Sequence, residues 1–273
     1  MKLTMKTLST CLALMTGLSS YAQVTHELSI GLGGNMMMGD VGQVLSPSSE
    51  LALQAGYRLQ FHEHYAIKLS YGQGTMYAND ANSSIDVREV RNMSVRTPYQ
   101  HANGRLEVSF LPLTIPGWRF QHSPYLGLGL GIINFEPQGY YQGEWVNLRP
   151  LGTEGQGTSL STDGLYANRA WTQPFTLGWR GQWDGWFVIY GEASWVRTSS
   201  DYLDDVSGDY IDAAQLEAIN GEAAGYFADR SLNGATPGLP RGNDSNTDHW
   251  FDAHIGIGLL IEPFMERCYN FLH

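Results

Sequence analysis

The stretch at residues 50–61, ELALQAGYRLQF, decides the fold. Apolar side chains occupy each of its odd positions, and polar residues or glycine occupy its even positions apart from Ala52. Successive side chains of a β-strand point to opposite faces of a sheet, whereas a helix repeats every 3.6 residues. The stretch therefore predicts a strand with one apolar face and one polar face.

Seven further segments show the same alternation of apolar and polar residues. In the most regular of them, LGLGLGI, leucine and isoleucine alternate with glycine. The seven segments are 27–38, 65–72, 105–110, 126–132, 175–183, 187–198 and 251–261. Together with 50–61 they predict eight strands and an all-β protein.

The connections between the predicted strands alternate between short and long. The short turns are 62–64, 114–122 and 184–186. The long connections are 39–49, 78–103, 136–170 and 199–248. Transmembrane barrels of Gram-negative outer membranes have short periplasmic turns and long extracellular loops. We therefore predict an eight-stranded antiparallel transmembrane β-barrel over residues 23–261, with four long extracellular loops and short periplasmic turns. A soluble lipocalin-like barrel, with its apolar face lining a cavity, is the alternative.

Residues 1–22 have the features of a signal peptide. Lys2 and Lys6 form a basic start, residues 8–18 are largely apolar, and small residues precede the expected cleavage after Ala22. Its removal leaves 14 basic and 27 acidic side chains, a net charge of −13. Nucleic acid is not expected as a partner of so acidic a chain, because its phosphates need basic side chains.

The polar face of the predicted strands carries charged residues of both signs. These residues are Glu50, Arg58, Lys68, Arg105, Glu107, Arg180, Glu192, Asp252 and His254. An eight-stranded barrel is only wide enough for side chains to fill its interior, and buried charges need partners. The sequence therefore predicts a salt-bridged polar plug, with a proton or ion path as the alternative.

Two polar loop segments do not match known ligand sites. The glycine-rich stretch LRPLGTEGQG at 148–157 lacks the lysine that a phosphate-binding loop needs. The acidic residues at 201–210 lack the spacing of a calcium loop. A short helix is expected at 212–227, in the same long connection. We predict no cofactor and no metal at these segments.

The histidines suggest no catalytic site. His101 and Ser94 share one predicted loop, but nothing in the sequence marks them as a base and its nucleophile. His62 and His64 lie in a predicted turn without a second cluster of metal ligands. We therefore predict a protein that is not an enzyme, and a lipid A-modifying barrel is the least favoured alternative.

Two unusual motifs lie in the predicted extracellular loops. The first consists of Pro150, Leu151, Gly152, Thr153, Glu154, Gly155, Gln156 and Gly157. The second consists of Asp201, Tyr202, Leu203, Asp204, Asp205, Val206, Ser207 and Gly208. With Arg241, Gly242 and Asn243 further on, they resemble the PorG family of small outer-membrane barrels of the type IX secretion system. The resemblance extends over nearly the whole chain after the signal peptide.

The resemblance implies a non-enzymatic role in protein secretion. Members of the PorG family associate with a periplasmic ring of PorK and PorN and link it to the outer membrane. Outer-membrane lipid and this ring are therefore the expected partners. A small barrel of envelope integrity or surface adhesion is the alternative. The two motif loops would contact another outer-membrane component of the secretion system, or fold over each other as a lid.

The periplasmic surfaces expected to face the ring are the short turns and a tail at 262–273. The candidate contacts are His62, Glu63, His64 and Cys268. Cys268 is the cysteine that remains after the signal peptide is removed, and it is either free or linked to a partner.

Overall fold

A computed structural model describes residues 24–42, 50–83, 85–113, 120–183 and 186–261. The ten strands are β1 Thr25–Met38, β2 Ala52–Gln60, β3 Tyr65–Asn79, β4 Ser94–Ser109, β5 Phe120–Phe135, β6 Gln138–Tyr141, β7 Glu144–Asn147, β8 Arg169–Trp183, β9 Phe187–Thr198 and β10 His249–Ile261. Within these residues the three α-helices are α1 Asp86–Arg91, α2 Ala213–Asn220 and α3 Glu222–Ala228, and two short 3₁₀ helices are Asp80–Asn82 and Arg149–Leu151. None of these helices has the length and apolar character needed to cross a membrane. The predicted signal peptide and the tail with Cys268 lie outside the described residues.

Eight of the strands close into a barrel. The order β1-β2-β3-β4-β5-β8-β9-β10 returns to β1, which pairs with both β2 and β10. Every pairing is antiparallel; for example, His26 lies opposite Ile261 and Tyr65 opposite Val108. Closure leaves no free edge among these eight strands, which satisfies their backbone groups as a membrane requires. The predicted eight-stranded antiparallel barrel is confirmed.

The two faces of the barrel wall differ sharply in polarity. On β10, Ile255 is 75% exposed on the outer face, whereas the neighbouring His254 is only 5% exposed and points inward. The same alternation of exposed apolar and buried polar residues recurs around the wall. A soluble lipocalin-like barrel would have the opposite faces, so the outer surface is that of a membrane-spanning barrel.

Several strands extend beyond the predicted segments. β3 ends at Asn79 and β4 begins at Ser94, so the connection expected at 78–103 is reduced to residues 80–93. His101, predicted in a loop, therefore lies within β4 and is buried. The prediction was wrong because the outward positions near this end become polar, as at Gln100, while the backbone pairing continues.

The long connections contain additional structure. The connection expected at 136–170 holds the hairpin β6–β7, which pairs with β4 through Arg96 and Gln138. The single helix expected at 212–227 is two helices, α2 and α3, because Gly221 between them has a φ of 90° that helical residues do not adopt.

The largest cluster of buried apolar side chains lies where these loops meet the barrel. Met76, Phe135 and Trp250 belong to the strands, whereas Leu203 and Val206 belong to the longest loop. The barrel end at Met38, Asn79 and Ser94 is called the loop end, and the opposite end the turn end. The segments 39–42, 80–93, 136–168 and 199–248 at the loop end are called the cap. The hydrophobic core thus joins the cap to the barrel.

Candidate functional site

The barrel interior contains a network of ion pairs. Glu107 accepts hydrogen bonds from Arg58 Nε at 2.7 Å and from Arg105 Nε at 2.9 Å. Glu192 accepts one from Lys68 Nζ at 3.1 Å and also pairs with Arg105. All five side chains are buried, so each charge depends on the others for compensation.

Further polar side chains extend this network across the interior. Glu27, which projects from β1, pairs with Arg180. The Tyr125 hydroxyl donates to Glu192 Oε2 at 2.7 Å, and Lys68 Nζ lies 4.4 Å from the centre of the Tyr190 ring. These contacts connect β1, β3, β5, β8 and β9 across the barrel, so the interior is filled rather than open.

Asp252 and His254 form a separate pair nearer the loop end. His254 Nδ1 lies 3.4 Å from Asp252 Oδ1, and Trp250 Nε1 donates to Asp252 Oδ2 at 3.1 Å. Of the nine charged residues predicted on the inner face, eight are buried there. Glu50 is not: it precedes the start of β2 at Ala52, is partly exposed, and accepts a hydrogen bond from Tyr77 at 2.9 Å. The placement of Glu50 on the inner face was wrong because the alternation in the sequence starts before the strand itself begins at Ala52.

The two loop motifs meet inside the cap. Thr153 Oγ1 donates to Asp205 Oδ2 at 2.6 Å. The two carboxylate oxygens of Glu154 accept hydrogen bonds from the backbone amides of Ser207 and Gly208, each at 3.0 Å. A carboxylate that receives backbone amides in this way holds one loop against the other. The motifs are thus used to fold the loops over each other.

Arg241 completes this junction. Its Nη1 donates to Glu154 Oε1 at 2.8 Å and to the Asp205 carbonyl oxygen at 2.7 Å, and its Nη2 lies 3.8 Å from Asp205 Oδ2. The Tyr166 hydroxyl donates to Asp205 Oδ1 at 2.6 Å. Burial raises the pKa of Asp205 to about 6, although Arg241 opposes the shift. The junction therefore contains two buried carboxyls that depend on one buried cation.

The first motif needs glycine where it turns toward Glu154. Gly152 has a φ of 60°, in the left-handed region that residues with a Cβ rarely adopt. A Cβ at this position would lie only 2.4 Å from the Gln156 carbonyl oxygen. Gln156 in turn donates to Glu154 Oε2 at 3.1 Å. The glycines of LRPLGTEGQG therefore shape a tight turn that positions a carboxylate.

The other two long connections also join the cap. The backbone amide of Val41 donates to Asp204 Oδ2 at 2.8 Å, and that of Asn243 donates to Asp40 Oδ2 at 2.7 Å. Arg91, in α1, pairs with Asp80 at 2.8 Å and donates to the Arg241 carbonyl oxygen at 2.7 Å. Segments from all four long connections are therefore tied into one folded unit.

Two buried carboxyls, Asp204 and Asp248, lie side by side in the cap. A Cβ built on Gly39 would lie 2.5 Å from Asp204 Oδ2 and 2.7 Å from Asp248 Oδ1, so glycine is needed between them. Burial is the main cause that raises the pKa of Asp204 to about 7, and the charge of Asp40 adds to it. Burial, followed by the charge of Asp204, raises the pKa of Asp248 well above its usual range.

These raised pKa values determine how pH acts on the cap. In an unfolded chain the carboxyls ionise near the ordinary aspartate pKa of 3.8, whereas in the folded cap they keep their protons to higher pH. Their protonated forms therefore stabilise the cap fully below that ordinary value, and this contribution is lost as pH rises through the folded pKa. The cap is most stable under acidic conditions with respect to this pair.

The residues considered for chemistry are not arranged as a catalytic or metal site. Ser94 accepts a hydrogen bond from Arg230 at 2.8 Å, whereas His101, seven residues along β4 and therefore on its opposite face, bonds to Thr172 inside the barrel. His64 Nδ1 is bonded to the Ser109 carbonyl oxygen at 2.8 Å. Within the described residues, no three His, Cys, Asp or Glu side chains are grouped to hold a metal ion.

The family described as a domain of unknown function (DUF6089) matches residues 5–148. The chain belongs to this family. The match ends at Leu148, directly before the first loop motif, so the DUF6089 region includes β1 to β7 but neither motif. No curated protein matches the chain.

Solved structures similar to this DUF6089 protein are small outer-membrane barrels. The attachment invasion locus protein Ail of Yersinia pestis is 10% identical, covers 88% of this chain and 99% of its own, and has a TM-score of 0.39. Neisserial surface protein A is 7% identical, covers 88% of this chain and 97% of its own, and has a TM-score of 0.40. The N-terminal β-barrel domain of Pseudomonas aeruginosa OprF is 10% identical, covers 88% of this chain and 100% of its own, and has a TM-score of 0.36. Similarity at this level carries no functional argument, and the barrel assignment rests on the strand pairings themselves.

Proposed function

We propose that the protein is a non-enzymatic outer-membrane component of type IX secretion that links the periplasmic PorK and PorN ring to the outer membrane. The observation that carries the proposal is the closed interior of the barrel. Ion pairs around Glu107 and Glu192 fill it, and the cap folds over its loop end. A barrel built in this way suits an anchor, because cargo would have to cross elsewhere. The link to type IX secretion rests on the PorG-like loop motifs.

The internal role of the motifs directs partner contacts to other surfaces. Glu154, Asp205 and Arg241 are buried against one another, so their functional groups are not presented to a partner. At the turn end, Glu63 is exposed between His62 and His64, which are partly exposed. A periplasmic ring would reach this end, and we therefore propose this turn and the tail with Cys268 as its docking surface.

The proposal is tested first by deletion of the protein. Loss of the barrel should block secretion of type IX cargo and release the ring from the outer-membrane fraction, and the wild-type gene should restore both. Normal cargo secretion in a clean deletion strain would contradict the proposed function. Fractionation of the wild-type strain tests the outer-membrane location at the same time.

Site-specific crosslinking tests the docking side. A photoreactive residue in place of Glu63 should crosslink to the ring proteins, whereas one in place of Tyr226, exposed on the cap, should not. Crosslinks to the ring from position 226 alone would show that the cap faces the ring, and the docking surface would then be wrong.

One feature of the cap favours a second candidate, a barrel for surface adhesion. Val87 is 76% exposed and Leu232 is 67% exposed on the cap. Exposed apolar side chains at a protein surface can serve contacts with a partner. Under this alternative, Val87→Ser with Leu232→Ser would reduce attachment to surfaces or cells while cargo secretion stays normal. Under the first proposal, the same variant leaves both readouts unchanged.

A further inference from the structure

The outward-facing cations of the barrel wall are distributed unevenly. Within the described residues, the arginines on this face are Arg96 on β4, Arg169 on β8 and Arg197 on β9, and each lies near the loop end of its strand. At the turn end the outer face carries exposed aromatic residues such as Phe120 and Trp183, without lysine or arginine among the described residues. The chain is strongly acidic, so its composition alone does not explain why cations are found at the loop end of the outer face.

Arg169 and Arg197 are available for an external ligand. Arg169 is exposed and uses Nε to bond Asn134 Oδ1 at 2.8 Å. Arg197 is exposed and lies between Gln173 of β8 and His249 of β10 in the strand pairing. Within the described part of the chain, neither arginine forms an ion pair with a carboxylate.

Arg96, by contrast, is already engaged. Its guanidinium carbon lies 4.8 Å from the centre of the Trp145 ring, and it interacts electrostatically with Glu50. An external ligand would have to compete with these contacts for Arg96, so the proposed ligand site does not include it.

Two exposed tryptophans accompany the free arginines. Trp171 follows Arg169 by two residues and is 66% exposed, and Trp195 precedes Arg197 by two residues and is 50% exposed. Toward the turn end, the outward residues of β8 become apolar from Phe175 onward, after Gln173, and those of β9 are Ala193, Gly191 and Ile189. Tryptophan is favoured at the boundary between hydrocarbon and lipid headgroups. Along each of these two strands the arginine therefore lies on the loop-end side of the tryptophan, where lipid headgroups are expected.

The outer faces of β8, β9 and β10 carry no negative charge, and the exposed Glu136 just beyond β5 accepts a hydrogen bond from Asn147 at 2.7 Å. The outward residues of β8, β9 and β10 are apolar, aromatic, glycine, glutamine, histidine or arginine, and none is a carboxylate. A guanidinium group binds phosphate through paired N–H donors and keeps its charge at any physiological pH. The uncompensated charge therefore matches an anionic headgroup.

We propose that Arg169 and Arg197, with Trp171 and Trp195, bind the phosphate groups of a phosphorylated glycolipid in the outer leaflet of the outer membrane. The proposal rests on the proposed outer-membrane location, in which the loop end faces the cell exterior. The outer leaflet of this membrane presents glycolipid phosphates at headgroup level, and an anionic headgroup attracts arginines near the membrane surface. The bound lipid would lie against the outer wall of the barrel, next to the cap.

The test measures binding of purified lipids to the full-length protein by native mass spectrometry. Diphosphorylated lipid A should bind the wild type more tightly than unphosphorylated lipid A with the same acyl chains, and more tightly than phosphatidylglycerol. The double variant Arg169→Gln with Arg197→Gln should bind diphosphorylated lipid A about 30-fold more weakly, because each arginine near a membrane surface contributes a factor of about five in affinity. Heat-modifiable gel migration confirms that the variant barrel is folded.

Two control variants sharpen the comparison. Arg169→Lys with Arg197→Lys keeps the charges and should retain most of the affinity. Arg149→Gln removes a cation of the cap whose Nε bonds to the Tyr166 carbonyl oxygen at 2.6 Å, within the cap itself, and should leave lipid A binding unchanged.

Three outcomes would overturn the proposal: equal lipid A affinity in the glutamine double variant, equal affinity of the wild type for phosphatidylglycerol, or full competition by inorganic phosphate alone. Fractionation separates this failure from that of the proposed function. Absence of the protein from the outer membrane overturns both proposals. If the protein lies in the outer membrane and supports cargo secretion but binds lipid A independently of Arg169 and Arg197, the lipid proposal alone is overturned.

Discussion

Replacement of Arg241 by methionine should open the cap while the barrel stays closed. The substitution keeps the volume of the side chain but removes the cation that pairs with Glu154 Oε1 at 2.8 Å and lies 3.8 Å from Asp205 Oδ2. Loss of one partner from a buried ion pair costs about 3–5 kcal/mol, because the remaining charge stays buried. Since about 1.4 kcal/mol corresponds to a factor of ten, the open cap should become about 100- to 4,000-fold more populated.

Amide hydrogen exchange followed by mass spectrometry measures this population directly. Peptides that contain Ser207 and Gly208, whose amides donate to Glu154, should exchange faster by that factor, whereas peptides from β5 should not change. Arg230→Met is the matched control, because Arg230 is partly exposed and bonds to Ser94 rather than to a buried carboxylate.

The size of the effect should also depend on pH. Burial already raises the pKa of Asp205 to about 6, and removal of Arg241 raises it further. At pH 5 the Asp205 carboxyl is protonated and no longer carries one of the two charges that Arg241 compensates, so the variant should be less destabilised there than at pH 8. Equal exchange in the Arg241 and Arg230 variants, or an effect independent of pH, would refute the reasoning.

Three further predictions concern the cap and the interior. Protection of cap amides in the wild type should decrease as pH rises from 3.8 toward about 7, and Asp248→Asn should flatten this dependence; a pH-independent wild type would contradict it. Gly152→Ala should destabilise the cap by more than Gly143→Ala, because both glycines have positive φ but only the first Cβ meets a backbone oxygen, at 2.4 Å; cap exchange in the two variants measures the difference. Glu192→Gln should lower the free energy of barrel unfolding by about 3–5 kcal/mol, because Lys68 and Arg105 lose their buried partner. Glu63→Gln, at an exposed turn, should not lower it, and denaturant titration followed by gel migration compares the two variants.

The strands were predictable because their signal is local. Alternation over residues such as those at 50–61 reports which face of a strand meets lipid, and it requires no knowledge of any other strand. The predicted strands are too short where the outer face stops being apolar. β3 and β4 continue past the apolar band to Asn79 and Ser94, because backbone pairing persists where side-chain polarity no longer alternates.

The sequence predicted most of the charged residues that face the interior, but not which of them pair with each other. Alternation indicated that Arg58, Lys68 and Glu107 face inward, but their partners depend on how the closed barrel brings distant strands together. Lys68 meets Glu192 at 3.1 Å although 124 positions separate them in the chain. A pattern with a period of two residues contains no information about such pairs.

The sequence by itself determined eight strands and the face that each strand turns to lipid, since both follow from local alternation, and the signal peptide stays a prediction. Only the tertiary structure decided what the loop motifs do. Glu154 reaches the amides of Ser207 and Gly208 and the guanidinium of Arg241 across separations of 53, 54 and 87 residues. Those contacts exist because barrel closure brings the ends of all the long loops to one place, and that is a property of the whole chain.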